Sequence, residues 1–294
     1  MRNLVCIGLG YCAVRYAGMF GKKFDRVVGT TRELRGSVRS PGLRTVDIIP
    51  FDGRTASPEV VARVEESDAV LISAPPGQSG DPVLASLADN IARGRARSIV
   101  YLSTIGVYGD TGGAWVDEGS APRPGSARSA ARLAAEEAWR RFADQHGKSV
   151  AILRLAGIYG PGRNALVTLS EGKARRIVKP GQVFNRIHVT DIAQAIDASF
   201  AQRATGVFNL ADDEPAPPQD VIAFAADLMG KPPPPEIPFD EARAGMSPMA
   251  RSFYAENRRV RNAKLKQTLG VCLVYPTYRE GLQALFNARI ANGE

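Results

Sequence analysis

Cysteine and histidine are scarce in this chain of 294 residues, and each scarcity closes off a class of function. The three cysteines, Cys6, Cys12 and Cys272, are odd in number and form no Cys-x-x-Cys pair. A disulfide framework and a structural zinc site are therefore not expected, and a reducing, cytoplasmic setting is. Two histidines, His146 and His188, give little material for a His-rich metal centre, and no metal is expected. Also missing is any apolar run near the roughly 18–20 residues that a membrane span requires. The first apolar stretch has one basic residue beside it and runs into a glycine motif rather than a small-residue cleavage site. It reads as a strand, not as a signal peptide.

What is present is an ordinary globular composition, 44% hydrophobic and 23% charged, with no internal repeat. The formal net charge of +8 comes from 38 basic and 30 acidic residues, and only eight of the basic residues are lysine. An arginine excess raises the question of nucleic acid. Position by position it does not form that footprint: Arg93, Arg95 and Arg97 fall at a helix-to-strand junction, and Arg140 and Arg141 share a helix with Glu136 and Glu137. No basic stripe interleaved with aromatics appears. Arg175, Arg176 and Lys179 form a cluster suited to an anionic ligand. A small-molecule partner is expected, without nucleic acid or membrane.

Short, nearly all-apolar runs recur at Leu4–Ile7, Arg26–Thr30, Thr45–Ile49, Ala69–Ser73, Ser98–Ser103, Val150–Leu155 and Val207–Leu210. Helical stretches fall near Val14–Phe20, Glu59–Glu65, Val83–Ala92 and Ala127–His146. Apolar strands alternating with helices predict an α/β chain whose parallel sheet is doubly wound, covered on both faces. After Gly160 the pattern loosens. Ile187–Val189 is expected to be extended, Asp191–Phe200 helical with Thr190 as its N-cap, and Asp220–Met229 helical. The prolines at 232–235 predict an extended spacer. The expected organisation is a dinucleotide-binding domain over residues 1–160, with 186–210 returning to it. Residues 161–185 and 211–294 then form a smaller substrate lobe and a C-terminal helix.

The strongest local motif is Gly8-x-Gly10-x-x-Ala13, directly after a strand and opening a helix. Gly8 makes the tight turn, Gly10 lets backbone approach a pyrophosphate, and Ala13 is small enough for helix–strand packing. The helix N-terminus then faces the phosphates, so Tyr11 and Cys12 belong to the same cradle. This is the NAD(P)-binding Rossmann signature. Enzymes that use NAD place an acidic residue about 20 positions further on. Here the sequence reads Gly29-Thr30-Thr31-Arg32, with no carboxylate before Glu33. Arg32, helped by Thr31, suits a 2′-phosphate, so NADP is the expected cofactor, with NAD as the alternative.

The chain resembles the extended short-chain dehydrogenase/reductase family, in its NAD-dependent epimerase/dehydratase branch. The resemblance rests on the glycine motif, Ser103-Thr104-Ile105-Gly106-Val107-Tyr108-Gly109, Leu153-Arg154-Leu155-Ala156-Gly157-Ile158-Tyr159-Gly160-Pro161-Gly162-Arg163, and Arg186-Ile187-His188-Val189-Thr190-Asp191. It covers nearly the whole chain. Gly29-Thr30-Thr31-Arg32, Phe208-Asn209-Leu210-Ala211-Asp212-Asp213-Glu214-Pro215, Asn262-Ala263-Lys264-Leu265 and Tyr275-Pro276 look like its atypical, YeeZ-like members.

The resemblance implies that Thr104 orients a substrate oxygen, and that a Tyr-x-x-x-Lys pair on the next helix moves the proton and binds the nicotinamide ribose. Aligned on Leu133-Ala134-Ala135-Glu136, the chain has Arg128 at the Tyr position and Arg132 at the Lys position. Arg132 still suits a ribose and supplies positive charge. Arg128 is no general acid near neutral pH, because a guanidinium keeps its proton. Either Tyr108 or Tyr159 replaces the missing acid, with a role as scaffold aromatics as the alternative for both, or the site has left standard hydride transfer. The resemblance further implies Asp52 at the adenine, with a turn residue as the alternative, and Ser73, Ala74 and Pro75 beside a cofactor ribose. Arg163 and Asn164 fall where the family often binds its substrate. Arg186 and His188, at the return to the main sheet, are expected at the substrate with them, with a structural hydrogen-bonding role as the alternative for His188. The expected function is an oxidoreductase or epimerase/dehydratase-like enzyme on a small polar metabolite. A non-catalytic NADP(H)-binding sensor or scaffold is the rival. Relatives pair through two helices, here Val83–Ala92 and Ala127–His146, so a homodimer is expected.

Overall fold

The computed structural model describes residues 2–32, 46–77 and 79–291. In chain order its elements are β1 (Asn3–Ile7), α1 (Tyr11–Phe20), β2 (Arg26–Thr31), β3 (Asp47–Pro50), α2 (Pro58–Glu66), β4 (Ala69–Ile72), α3 (Pro82–Arg93) and β5 (Ser98–Thr104). There follow β6 (Trp115–Val116), α4 (Ala127–His146), β7 (Ser149–Leu155), β8 (Gly157–Tyr159), α5 (Ala165–Ser170), β9 (Arg176–Val178), β10 (Arg186–His188) and α6 (Val189–Gln202). The remainder is β11 (Gly206–Leu210), α7 (Pro218–Leu228), β12 (Glu236–Pro238), α8 (Phe239–Arg243), α9 (Pro248–Tyr254), β13 (Arg259–Val260), α10 (Ala263–Leu269) and α11 (Tyr278–Ala291).

Seven of these strands form one parallel sheet in the order β11-β7-β5-β4-β1-β2-β3. The all-apolar strands explain why both faces are covered. Leu4 and Cys6 of β1 point into a core shared with α1 and α6, whereas Val5 and Ile7 point into one shared with α2, α3 and α4. Val100 and Leu102 of β5 separate from Ile99 and Tyr101 in the same way. The period of two divides each strand between two helical layers. The strand order reverses between β1 and β4, the place where doubly wound sheets open a crevice at the carboxyl ends of their strands.

Local chemistry fixes the helices that flank this crevice. Ser57 and Asp81 cap α2 and α3, each followed by proline at the first helical position. Ser126 caps α4, and Gly147 ends it in the left-handed region. Small corrections to the sequence expectations have equally local causes. Helix α1 begins at Tyr11 rather than Val14, because extended Gly10 serves as its N-cap. Strand β3 occupies Asp47–Pro50, and Thr45 lies outside the described residues. His188, not Thr190, caps α6: its Nδ1 accepts the Thr190 N–H at 3.2 Å.

The stretch after Gly160 is more structured than its sequence suggests, holding α5 and β9. β10 pairs with β8 in a small two-stranded sheet outside the main one. β9 pairs with β12, just beyond the proline run. α5, α7 and α11 share a small core around Leu166, Val221, Tyr278 and Leu282. A second one, around Ile177, Ala242, Met246 and Tyr254, supports α8 and α9. No described helix is long and apolar enough to cross a membrane.

Candidate active site

The crevice at the β1/β4 switch point holds the glycine turn. Gly8 has φ +87°, and a Cβ there would stand 2.8 Å from the Ala74 backbone nitrogen. Its N–H donates to Thr30 Oγ1 at 2.9 Å, while Leu9 N–H donates to Thr30 O at 2.8 Å. Ser73 and Ala74 both donate their N–H groups to Ile7 O. Three strand ends are thus tied to one loop, and Gly29 is bare because a Cβ would lie 2.7 Å from Leu9. Helix α1 has neither a side-chain cap nor an acidic residue in its first turn. Its leading N–H groups and the positive end of its dipole therefore face the crevice, the arrangement that takes phosphate.

Thr31 ends β2, and Arg32 follows it, exposed. Glu33, the next carboxylate, lies outside the described residues. Asp52 is exposed, and its Oδ1 accepts the N–H groups of Arg54 and Thr55 at 2.8 and 3.4 Å. Those bonds hold its carboxyl below its usual range, so Asp52 closes a turn as well as standing at the sheet edge. Pro75 is exposed beside the crevice. Burial pushes the Cys12 thiol up to about 11, which keeps it protonated and makes it a packing residue.

A cavity of about 680 Å³ extends from Cys12 and Ser73, past Thr104 and Arg132, to α9 and Arg186. Thr104 closes β5, and its Oγ1 accepts the Gly106 N–H at 3.1 Å. A Cβ on Gly106 would touch Ser129 Oγ at 3.0 Å and Thr104 Oγ1 at 3.3 Å. The bare glycine brings these hydroxyls together on the wall, with Ser126 beside them. Arg132 donates from one terminal nitrogen to Tyr101 Oη and Leu102 O, at 3.0 and 2.8 Å. Arg128 lies exposed in the first turn of α4, on the same wall.

The two tyrosines considered as proton donors have hydroxyls committed elsewhere. Tyr108 is 1% exposed, its Oη donates to Asn209 Oδ1 at 2.8 Å, and it does not line the cavity. Tyr159 does line it, but its Oη donates to Thr277 O at 3.3 Å and presses against Gly281. Burial raises both phenols, with Asp212 and Asp191 adding to the effect at Tyr159.

The residues expected at the substrate separate. Gly160 and Arg163 exchange backbone bonds, and this turn carries the Arg163 guanidinium back over the Tyr11 ring, 6.0 Å from its centroid. Its charge also opposes the rise of the Cys12 thiol, so Arg163 stands by the phosphate cradle. Asn164 caps α5 and donates to Gly160 O. It lines a second cavity of about 350 Å³ that shares Tyr159, Arg163 and Arg186 with the first. Arg186 uses one terminal nitrogen to hold Phe184 O and Ala216 O, at 3.0 and 3.2 Å.

His188 lines neither cavity. Its Nδ1 is occupied as an acceptor, so the proton of the neutral ring sits on Nε2. Burial, with Arg15 nearby, lowers its pKa to about 4 from 6.5. Because the unfolded state then binds the proton first, the stability from neutral His188 is complete above about 6.5 and fades as pH falls toward about 4. Asn at this position keeps an acceptor for the cap. His188→Asn is expected to lose less stability than the parent between pH 7 and 5 in matched urea titrations. Asp191, raised by burial to about 6, has the opposite dependence but is common to both proteins.

Sequence reasoning missed the ion pair behind the wall. Glu136 and Arg154, 0% and 3% exposed, join with Arg154 NH2 2.7 Å from Glu136 Oε2, and Ser103 Oγ donates to the same carboxylate. Arg154 also lies over the Tyr108 ring. This network locks β5, α4 and β7 together. It also missed Met249, Phe253 and Tyr254, which form part of the far wall. Their signal was the Ser247-Pro248 start followed by apolar residues at helical spacing.

With fold and cavity in place, comparison with known proteins agrees. Residues 83–211 match the model of the NAD dependent epimerase/dehydratase family. A conserved protein of unknown function from Silicibacter pomeroyi shares 44% identity and a TM-score of 0.86, over 98% of this chain and 99% of its own. Protein YeeZ of Escherichia coli K12 is 27% identical over 80% of this chain and 86% of its own length. A 3-diazoavenalumate denitrifying reductase from Streptomyces is 29% identical over 55% of this chain, and the alignment spans about half of that protein, 54%. The fold is also that of a Bacillus anthracis dTDP-glucose 4,6-dehydratase solved in complex with NAD, with 17% identity and TM-score 0.77 over 99% and 97% of the two chains.

Proposed function

We propose that this protein is a cytoplasmic, NADP(H)-dependent enzyme of the reductase or epimerase/dehydratase type, acting on a small metabolite. The observation that carries the reading is the single cavity joining a phosphate-accepting helix end to the hydroxyl of Thr104 and on to the lobe around α9. When bound, the nicotinamide supplies or accepts hydride. Gly8, Gly10 and the N–H groups of Tyr11, Cys12 and Ala13 hold the diphosphate, with Arg163 adding charge. Thr31 and Arg32 take the 2′-phosphate, Asp52 the adenine side, and Ser73, Ala74 and Pro75 pass the ribose. Arg132 points charge at the nicotinamide ribose, and Thr104 donates to the substrate oxygen. The reductase name of the Streptomyces relative supports the redox reading.

Loss of Arg32 tests the cofactor assignment. Arg32→Ala is expected to weaken NADPH roughly 10- to 100-fold, the value of charge-assisted hydrogen bonds, while leaving NADH unchanged in parallel fluorescence titrations. Equal losses for both cofactors would remove Arg32 from the 2′-phosphate.

A second reading, a non-catalytic NADP(H) sensor, is favoured by Arg128 at the expected acid position and by the committed hydroxyls of Tyr108 and Tyr159. A carbonyl and sugar-nucleotide turnover screen with Thr104→Ala and Tyr159→Phe decides between them. Turnover that falls in either variant excludes the sensor, and cofactor binding without any turnover supports it. The side-by-side α3 and α4 supply the face for a homodimer, and light scattering at micromolar concentration should give twice the chain mass.

A further inference from the structure

The lobe end of the cavity has a chemistry that the cofactor reading leaves unused. Met249 and Phe253 lie on one face of α9 and line the cavity, yet are 59% and 58% exposed. Exposed large apolar groups on a cavity wall mark a binding surface. Behind them Phe184 and Tyr254 meet edge to face at 5.2 Å, and Tyr254 stacks on Phe239 at 5.1 Å. This builds a rigid aromatic corner.

The polar groups around the corner are largely spent on the protein itself. Asn185 accepts Val260 N–H and donates to Arg258 O. Glu256 is paired with Arg258, which also donates to Gly109 O. A polyol placed here would leave hydroxyls without partners, which is costly.

Charge is what remains. Among the described residues lining the cavity, five arginines face one glutamate, and that glutamate is already neutralised by Arg258. Arg163 stands by the glycine turn, and Arg128 and Arg132 stand on the α4 wall, which leaves Arg186 as the cation of the lobe end. Only one terminal nitrogen of Arg186 has a hydrogen-bond acceptor among the described residues. Below it, Asp212 is 2% exposed with neither oxygen hydrogen-bonded among them. Burial lifts the Asp212 carboxyl to about 8 against the pull of Arg186. Tyr254 lies in the field of Arg186 and Arg175, and its hydroxyl has no hydrogen-bond partner among the described residues.

We propose that this end of the cavity takes a small organic carboxylate with a flat, apolar body. Arg186 and the Tyr254 hydroxyl hold the carboxylate, and Phe184, Met249 and Phe253 hold the body. The assignment rests on the enzyme reading above and names its substrate class, which differs from a sugar nucleotide in both charge placement and polarity.

Calorimetric titration of the full chain, with and without saturating NADPH, tests it using cinnamate, cinnamamide and UDP-glucose as probes. Cinnamate is expected to bind at least tenfold more tightly than its uncharged amide and than UDP-glucose. Phe253→Ala, at an exposed position that the fold does not need, is expected to weaken cinnamate roughly tenfold, as loss of a contacting ring should, with NADPH affinity unchanged. Tyr254→Phe retains the ring and is expected to lose part of the preference for carboxylate over amide. No cinnamate binding in either form, equal affinity for the amide, an indifferent Phe253→Ala, or preference for UDP-glucose overturns the proposal. Cinnamate binding without any NADPH binding would uphold this pocket and overturn the cofactor reading.

Discussion

Replacing Glu136 with alanine is expected to destabilise the protein by about 3–5 kcal/mol, the cost of leaving a buried charge unpaired. Arg154 sits on β7, an inner strand of the sheet between β11 and β5, is 3% exposed, and has Glu136 as its counter-ion. Without the carboxylate, the guanidinium keeps its charge in a place that water does not reach. The same substitution takes away the acceptor of Ser103. Because α4 is held to β5 and β7 through this network, the loss also loosens the wall that carries Ser126, Ser129 and Arg132. Replacing both partners, Glu136→Leu with Arg154→Met, is expected to recover much of the lost stability, since a packed apolar pair avoids the desolvation cost. Urea unfolding of the three proteins reads both effects. A single variant within about 0.5 kcal/mol of the parent, the range of an unremarkable surface change, would show that the pair does not organise the wall.

The glycine turn gives the second large effect, and its two glycines should fail differently. At Gly8, an alanine meets both a left-handed backbone angle and the Ala74 nitrogen at 2.8 Å. Neither neighbour is a flexible side-chain end, so the turn itself must move. The variant is expected to lose stability and NADPH binding together. At Gly10, an alanine would meet nothing nearer than Ser73 Oγ at 3.6 Å. The fold should lose roughly 1 kcal/mol or less, yet the added methyl fills the approach to the N-terminus of α1. NADPH affinity is expected to fall roughly tenfold or more. Thermal melts with and without NADPH separate the two failures. A Gly10→Ala protein that binds NADPH normally would take the cofactor away from this turn.

The seven-stranded sheet was legible because its strands are apolar on both sides, and few other environments tolerate Leu4-Val5-Cys6-Ile7 or Ser98–Ser103. Helix ends were harder. Thr190 has a capping hydroxyl, but His188, held by pairing with Tyr159, starts the helix earlier by accepting the Thr190 N–H, a long-range fact. The short elements within residues 161–185 have too few residues to show a period.

Contacts across the chain were least legible. The turn at Gly160–Arg163 folds the Arg163 guanidinium over Tyr11, and the fates of the Tyr108 and Tyr159 hydroxyls depend on Asn209 and Thr277, far away in sequence. Tyr254 went unconsidered although it closes the short helical run that begins at Ser247-Pro248. Only the folding of α9 over the cavity brings it near Arg186. The expected net of basic charge changed in the same way. Most of it is distributed over helical faces, and a small part stands where phosphate or carboxylate would lie.

The most direct test is a fluorescence titration of the purified protein with NADPH and with NADH. Saturable binding of NADPH, tighter than that of NADH, is the predicted result. Binding of neither would contradict the account, because the helix end, the bare glycines and the cavity beyond them would then have no dinucleotide to serve.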